Sequence, residues 1–225
     1  EASDNMTASL GKSKAFQGYS VAYWMLGDYE KCLELGKLHA NVAIEIGDEL
    51  EIAKSKISLL TGYMFIDFEK AKQYSIEATE EFTRIGHEYW TGLSLWFQGN
   101  IYLIGGELEI AKQRFTSSLE LTKVHGDNQH AGGSFGGLAM IEFLMGNFTK
   151  SIELYEKSIE RYKMVDDIAE IARILSEMSW AYLAVKNTES ARIHALDSIE
   201  VYQKVGSPRG VGLSMIGLAA IEAEE

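Results

Sequence analysis

The sequence predicts an all-α fold, an α–α superhelix (solenoid) of about five antiparallel helix pairs followed by an unpaired helix. Two series of residues predict it, because each recurs every 39 or 40 positions. Residues suited to ending a helix form the first series: Gly47, Gly86, Gly126, Asp166 and Gly206. Residues suited to beginning the next helix form the second: Tyr29, Phe68, Leu108, Phe148 and Thr188. Such a period is typical of stacked repeats, each contributing one supersecondary unit.

The two series divide residues 1–225 into a single array of repeated blocks. We place the repeat units at about 8–47, 48–86, 87–126, 127–166 and 167–206, with a partial unit at 207–225. The partial unit has a first helix whose apolar face consists of Val211, Met215 and Leu218. A terminal repeat should have a polar outer face. We therefore expect either a segment of a longer protein or burial of this face in a homodimer.

Within each block, apolar or small residues recur at three- and four-residue steps twice over, which indicates two amphipathic helices. We expect first helices at about 48–66, 87–104, 127–145, 167–185 and from 207 onward. We expect second helices at about 29–46, 68–85, 108–125, 148–165 and 188–205. Asp48 and Glu51 have the spacing of a capping box, and Pro208 suits the first turn of a helix. Turns of two or three residues require antiparallel neighbours.

The turns inside the blocks also carry recognisable signals. Gly27-Asp28, Gly106-Glu107 and Gly146-Asn147 place a glycine where a helix can end in the left-handed conformation. The Asp or Asn after it can cap the next helix.

Small residues occupy corresponding positions of the second helices, which predicts close approach of a facing helix. One row contains Cys32, Ala71, Ala111, Ser151 and Ala191, and the row seven residues later contains His39, Ala78, Ser118, Ser158 and Ser198. In the first helices a tyrosine recurs near the end, at Tyr23, Tyr63, Tyr102 and Tyr182, with Glu142 as the exception. The lone Cys32 cannot form an internal disulfide, and its place in a small-residue row indicates packing.

Composition and charge exclude several classes of function. The net charge of −12 repels phosphate backbones and anionic lipid surfaces, so we expect no direct nucleic-acid or membrane binding. No stretch approaches eighteen uncharged apolar residues, and the first ten residues lack the pattern of a signal peptide. We therefore expect a cytoplasmic protein.

One motif of the blocks resembles a known family. From Ser20 to Cys32, a small residue is followed by Tyr at the third position, then by Gly-Asp-Tyr-Glu-Lys and another small residue. This pattern resembles the tetratricopeptide repeat, and the resemblance covers about five repeats, essentially the whole chain. The usual period is about 34 residues. The longer period and the Ile-Gly-Asp joints resemble the variant found in large bacterial regulators, either transcription activators of the maltose-regulator type or proteins with adenylate cyclase domains.

The resemblance implies a binding surface on the concave side of the superhelix, which the first helices line. It assigns to that groove Lys54, Ile57, Thr61, Leu93, Trp96, Asn100, Gly133, Gly136, Met140, Arg173, Ser176, Trp180, Leu213, Ile216 and Ala220. It implies a protein–protein interaction module within a signalling or transcription-regulatory protein. Its partner would be a peptide, a helix or a neighbouring domain, oriented by Lys54, Arg173 and Asn100.

The third block differs from its neighbours because the stretch Gly132–Gly137 contains four glycines inside a predicted helix. Each glycine costs about 1 kcal/mol relative to alanine. One explanation is closer packing around bulky neighbours. The other is a hollow between Trp96 and Trp180, which would make the chain a small-molecule sensor. A phosphate-binding loop fits poorly, since no strand precedes the stretch.

The sequence shows no catalytic or metal-binding pattern. His125, Asp127 and His130 straddle a helix joint without a fourth ligand, so we interpret them as solvated turn residues. Adjacent carboxylates such as Glu80 and Glu81 point apart on a helix and do not form an acid–base pair. We expect neither enzymatic activity nor a metal or other cofactor.

Overall fold

The computed structural model describes residues 9–224, so the predicted start of the first block at residue 8 lies outside the described residues. Within that range the chain forms eleven α-helices joined by short turns. They are α1 Leu10–Leu26, α2 Tyr29–Ile46, α3 Glu49–Tyr63, α4 Phe68–Ile85, α5 Glu88–Ile104, α6 Leu108–His125, α7 Asn128–Leu144, α8 Phe148–Lys163, α9 Ile168–Ala184, α10 Thr188–Lys204 and α11 Pro208–Glu224. The predicted all-α fold of repeated helix pairs is confirmed.

The described residues form two compact units, which meet in the sequence at Gly106 and Glu107. Unit 1 contains α1 to α5, and each of these helices packs against the next, with a further contact between α1 and α3. Unit 2 contains α6 to α11 with the same successive packing, and α9 also contacts α7 and α11. In both units, therefore, first helices of neighbouring blocks lie side by side.

Three second helices begin and end where the periodicity places them, whereas the first helices are shorter than predicted. The predicted 48–66 helix is Glu49–Tyr63, because Asp48 is its N-cap and the chain turns after Tyr63. In that turn the amides of Ile66 and Asp67 both donate to the carbonyl oxygen of Tyr63. Helix α8 likewise ends at Lys163, two residues before the predicted end.

Side-chain capping is confirmed at most predicted positions and absent at one of them. Asp48 and Asp167 accept from the amides of Glu51 and Glu170 at 2.9 and 3.0 Å. Asn147, however, makes no capping bond, because its amide group donates to the Glu142 carboxylate instead.

The residues predicted to end helices adopt left-handed backbone conformations. Asp166 is one of them, and Lys186, which was not among the predicted residues, adopts the same conformation; their φ angles of 54° and 61° are uncommon for residues with a side chain. Lys186 occupies the place that Gly106 and Gly146 hold in other blocks. At these two positions a residue with a side chain therefore takes the conformation that glycine takes in other blocks, at a cost of about 1 kcal/mol.

Replacing Lys186 with glycine is expected to stabilise the chain by about 0.5–1 kcal/mol, because the left-handed conformation carries no steric penalty for glycine. The reverse change, Gly146→Ala, is expected to destabilise it by a similar amount, although nothing lies within 4 Å of the added methyl group. Urea unfolding of both variants measures the two effects. Equal stabilities for the two variants would contradict this explanation.

The rows of small residues lie in the cores of the two units, as predicted. All members of both rows are fully buried: Cys32, Ala71, Ala111, Ser151, Ala191, His39, Ala78, Ser118, Ser158 and Ser198. Several of the serines also form hydrogen bonds with backbone carbonyl oxygens of the facing helix. Ser158 and Ser198 donate to the carbonyl oxygens of Gly132 and Ala172, both at 2.7 Å. A small hydroxyl side chain therefore permits close approach and leaves no buried polar group unpaired.

Candidate functional site

The predicted groove residues divide into buried and accessible ones. On α3, Ile57 and Thr61 are buried, and Thr61 donates to backbone carbonyl oxygens of its own helix. On α7, Gly133 and Gly136 are also buried. Others among the predicted groove residues are partly or well exposed: Lys54, Trp96, Asn100, Met140, Arg173, Ser176 and Trp180. A partner would reach the second group and not the first.

Lys54 is held in a polar cluster inside unit 1. Its ammonium group donates to the Glu51 carboxylate at 2.8 Å and lies 5.2 Å from the centre of the Trp90 ring. The hydroxyl of Ser13 donates to the same carboxylate at 2.6 Å. The cluster therefore ties α1 to α3 and also includes α5, and Lys54 is already neutralised.

His39 completes this cluster from α2. Its Nδ1 lies 2.9 Å from the Ser58 hydroxyl, and its Nε2 lies 3.8 Å from Glu51. Burial lowers the pKa of His39 despite the nearby carboxylate. Burial acts to raise the pKa of Glu51, but hydrogen bonds from Lys54 and Ser13 outweigh it and the pKa is lowered. The cluster therefore contains an ionised Glu51 beside a neutral imidazole at pH 7.

Asn100 and Trp96 belong to α5 of unit 1. The Asn100 side chain donates to the Trp96 carbonyl oxygen at 2.9 Å, within the same helix. The Trp96 ring packs edge-on against Phe97, with centroids 4.8 Å apart. Both side chains are half-buried.

The glycines of α7 in unit 2 lie against large side chains. A Cβ atom at Gly132 would lie 3.1 Å from the Tyr162 ring, and one at Gly137 would lie 2.4 Å from the Phe115 ring. At Gly136 the neighbour is the Ile174 side chain, at 2.9 Å. Close packing around bulky neighbours accounts for these three glycines, and the space beside Gly136 is occupied.

Arg173 on α9 is surrounded by acidic groups of its own helix. Its guanidinium donates to Glu170 at 2.8 Å and to Glu177 at 2.6 Å. Burial acts to lower the pKa of Arg173, but the two carboxylates raise it well above its usual value. Burial also raises the pKa of Tyr155 and Tyr162. The guanidinium is therefore permanently charged and held at one side of the first-helix surface of unit 2.

Unit 2 also exposes apolar side chains on two adjacent first helices, α9 and α11. Trp180 on α9 is 36% exposed, and Leu213 and Ile216 on α11 are 54% and 62% exposed. A Cβ atom at Gly217 would lie 3.3 Å from the Trp180 indole nitrogen, so the indole rests directly on α11. We call Trp180, Leu213 and Ile216 the α9–α11 surface.

At the α6–α7 joint, His130 pairs with Asp127. His130 Nδ1 lies 2.6 Å from the Asp127 carboxylate. Burial acts to raise the pKa of Asp127, but the hydrogen bond from His130 outweighs it, so the pKa is lowered. Across residues 9–224, no group of three His, Cys, Asp or Glu side chains is arranged to hold a metal ion. In the same range, no helix is long and apolar enough to cross a membrane.

Glu142 is an important residue whose role the sequence analysis did not identify. Its carboxylate is 2% exposed and accepts from Lys112, Lys150 and Asn147, each at 2.8 Å. These hydrogen bonds lower the pKa of Glu142 to about 2. In the sequence, Glu142 stands out because it replaces the tyrosine that recurs near the end of the first helices. The sequence does not indicate which residues Glu142 contacts.

Comparison with known proteins agrees with this architecture. A tetratricopeptide repeat family model matches residues 133–204. No curated protein matches the chain. The solved structures similar to this chain include a signal transduction ATPase with a tetratricopeptide repeat sensor from Pyrococcus horikoshii. It is 23% identical over 93% of this chain and 33% of its own, with a TM-score of 0.70.

Two Rap proteins, both solved with a bound molecule, are also similar in structure. The Rap conjugation gene regulator of plasmid pLS20, in complex with the Phr* peptide, is 13% identical over 100% of this chain and 65% of its own, with a TM-score of 0.82. A Rap protein complexed with competence and sporulation factor is 13% identical over 95% of this chain and 64% of its own, with a TM-score of 0.68. At these identities the likeness shows the fold alone. This chain spans a third of the archaeal protein and just under two thirds of the two Rap proteins.

Proposed function

We propose that this tetratricopeptide repeat array is a protein-interaction module that holds a peptide, a helix or a neighbouring domain against its first helices. The observation that carries the proposal is the α9–α11 surface, where three large apolar side chains lie exposed on adjacent helices. Contiguous exposed apolar surface marks interaction sites, and tryptophan is enriched among residues that dominate binding energy. The Rap structures with bound peptide or factor support the same use of the fold.

The chemistry of the surface favours a partner segment in which a large apolar side chain, the anchor, lies next to a polar side chain. Trp180, Leu213 and Ile216 would supply the affinity by excluding water from the anchor. Arg173, two turns before Trp180 on α9, pairs with two carboxylates, so this polar group carries one net negative charge.

The wider setting of this module is a further part of the proposal. We place it within a signalling or transcription-regulatory protein, in keeping with the signal transduction ATPase that shares its fold. The net charge of −12 argues against direct nucleic-acid binding, and we keep the cytoplasm as its proposed location. Catalysis and cofactor binding form no part of the proposal.

The partly exposed face of α11 also permits a homodimer. Met215 is 56% exposed, whereas Leu218 packs against the cluster of Ala191, Ala195 and Ile221. The apolar area available to a second copy is therefore smaller than the sequence suggests. A monomeric mass by light scattering at micromolar concentrations would exclude the dimer.

Selection of a displayed random-peptide library on the whole chain tests the interaction module. We expect enriched peptides to contain a large apolar residue near a basic one, and to bind at micromolar dissociation constants. Trp180→Ala and Leu213→Ser should each weaken binding about tenfold. Ile193→Ser is the matched control, because Ile193 is equally exposed on a second helix. Equal effects of the three substitutions would reject the α9–α11 surface as the site.

The small-molecule sensor is the alternative hypothesis. It has less support, because Tyr162, Ile174 and Phe115 fill the spaces beside three of the α7 glycines. Tryptophan fluorescence titrated with metabolites and nucleotides tests it, with Trp96→Phe and Trp180→Phe as controls. A saturable change that disappears in both variants would favour the sensor over the interaction module.

A further inference from the structure

Unit 1 has a shallow groove on the outer side of α2, away from the first-helix surface. Its cavity volume is about 390 Å³, and it is lined by Glu30, Leu33, Glu34, Lys37, Leu38 and Ile66. Five of these residues lie on one face of α2, and Ile66 lies in the turn between α3 and α4. A second depression, lined in part by Leu26 and Tyr29, adjoins it at Glu30 and Ile66. We call the first of these the α2 groove.

The apolar residues of the α2 groove depart from the pattern of the other blocks. Positions equivalent to Leu33 hold Lys72, Lys112, Ile152 and Arg192. Positions equivalent to Leu38 hold Glu77, Ser117, Lys157 and Asp197. Positions equivalent to Ile66 hold Gly27, Gly106, Gly146 and Lys186. The fold therefore does not require apolar residues at these three places, yet the first two blocks bring them together.

This apolar surface is accessible to another molecule. Ile66 is 47% exposed and Leu38 is 38% exposed, whereas Leu33 forms the floor at 9%. Leu33 is buried because α2 packs tightly on α3. A Cβ atom at Gly62 of α3 would lie 2.6 Å from the Leu33 Cα atom. Exposed apolar side chains around a depression can receive one bulky side chain of a partner.

Two charges of opposite sign stand at the ends of the α2 groove. Glu30 and Lys37 are both exposed, and neither has an ion-pair or hydrogen-bond partner within the described part of the chain. They are seven residues apart on one helix, which separates them by about 10 Å along the axis. Glu34, between them, is neutralised by Lys31 at 2.7 Å. The groove is therefore apolar at its centre, negative at one end and positive at the other.

We propose that the α2 groove is a second docking site, which binds an amphipathic helix of another protein. The helix places an apolar side chain on Leu33, Leu38 and Ile66, a cation beside Glu30 and, two turns away, an anion beside Lys37. A second copy of this chain is a poorer occupant, because two molecules of net charge −12 repel each other. This inference does not rest on the proposed function, since the α9–α11 surface lies on other helices.

Binding of designed peptides to the whole chain tests the second site. The first probe is a fluorescein-labelled, alanine-based helix with Lys and Glu seven residues apart and Leu-Phe between them. The second probe has Glu at both charged positions. By fluorescence anisotropy we expect the Lys/Glu probe to bind about fivefold more tightly than the Glu/Glu probe. Glu30→Lys should reverse that preference, because the groove then carries two cations.

A matched pair of variants distinguishes binding at the α2 groove from non-specific binding to exposed apolar side chains. Ile66→Ser should weaken the Lys/Glu probe about tenfold, whereas Ile193→Ser, equally exposed on α10, should leave it unchanged. Both comparisons are made in a Trp180→Ala background, which weakens binding at the α9–α11 surface, and the difference between Ile66→Ser and Ile193→Ser should persist there. Circular dichroism confirms that each variant is folded. The proposal is overturned if the Lys/Glu probe shows no saturable binding up to about 1 mM, if Ile66→Ser matches Ile193→Ser, or if Glu30→Lys leaves the preference unchanged.

Discussion

Gly62→Ala is expected to destabilise unit 1 by about 2–3 kcal/mol, although alanine is the better helix former. The added Cβ atom would lie 2.6 Å from the Leu33 Cα atom and 2.9 Å from its backbone nitrogen. A backbone neighbour cannot rotate away as a side chain can, so α2 must move off α3. The loss from this displacement exceeds the gain of about 1 kcal/mol from helix propensity.

The measurement is urea unfolding followed by tryptophan fluorescence in a Trp180→Phe background. The remaining tryptophans, Trp24, Trp90 and Trp96, all belong to unit 1, so the signal reports that unit. Gly18→Ala is the control, because Gly18 lies on α1 with nothing within 4 Å of a Cβ atom. It should stabilise the unit by about 0.5–1 kcal/mol. A Gly62→Ala variant as stable as wild type would refute the close approach of α2 and α3.

Glu142→Gln is expected to destabilise unit 2 by about 2 kcal/mol at pH 7. The pKa of Glu142 is lowered from 4.5 to about 2, which corresponds to about 3 kcal/mol of differential stabilisation of the ionised form. We reduce this figure because the Lys112 and Lys150 side chains are 35% and 56% exposed, and solvent screens their charges.

The effect of Glu142 on stability should depend on pH in a defined direction. A carboxyl group whose pKa is lower in the folded state contributes its full stabilisation above the unfolded pKa, here about 4.5, and loses it as the pH falls toward 2. The stability difference between wild type and Glu142→Gln should therefore fall to less than half at pH 3. Urea unfolding by circular dichroism at the two pH values measures it.

Glu142→Tyr is a matched variant, because tyrosine occupies this position in the other four complete blocks. In the second block, Lys72 lies 5.0 Å from the centre of the Tyr102 ring. Lys112 could make the same contact with a tyrosine at position 142. We expect a smaller loss at pH 7 than for Glu142→Gln, of about 1 kcal/mol, and the same decrease of the difference from wild type toward pH 3, because both variants remove the titrating carboxyl group. A difference from wild type that does not change between pH 7 and pH 3 in either variant would show that Glu142 is not the titrating group.

Much of the architecture could be predicted from the sequence because it depends on local periodicity. The helix pairs follow from three- and four-residue spacing, and their ends follow from residues suited to the left-handed conformation. Even Asp166, which is not a glycine, could be assigned by its place in the period, and its φ of 54° confirms the assignment. The small-residue rows could be assigned to the core for the same reason.

The candidate site could be predicted only in part. Alignment to the repeat indicates which residues occupy groove positions, but burial depends on how far neighbouring helices cover them. Ile57 and Thr61 are covered, whereas Trp180 and Leu213 are exposed. The ion-pair partners of the charged groove residues could not be predicted either. Lys54 pairs with Glu51, and Arg173 pairs with Glu170 and Glu177, which only the distances in the structure show.

The sequence by itself determined the repeated helices, their turns and the small residues between them, since these depend on contacts within one block and on backbone preference. Only the tertiary structure decided why three of the α7 positions hold glycine, what Glu142 binds and where the α2 groove lies. Each of these depends on side chains from other helices, such as Phe115 beside Gly137 or Ile66 beside Leu33. A single sequence records the residues of such a contact but not the distance between them.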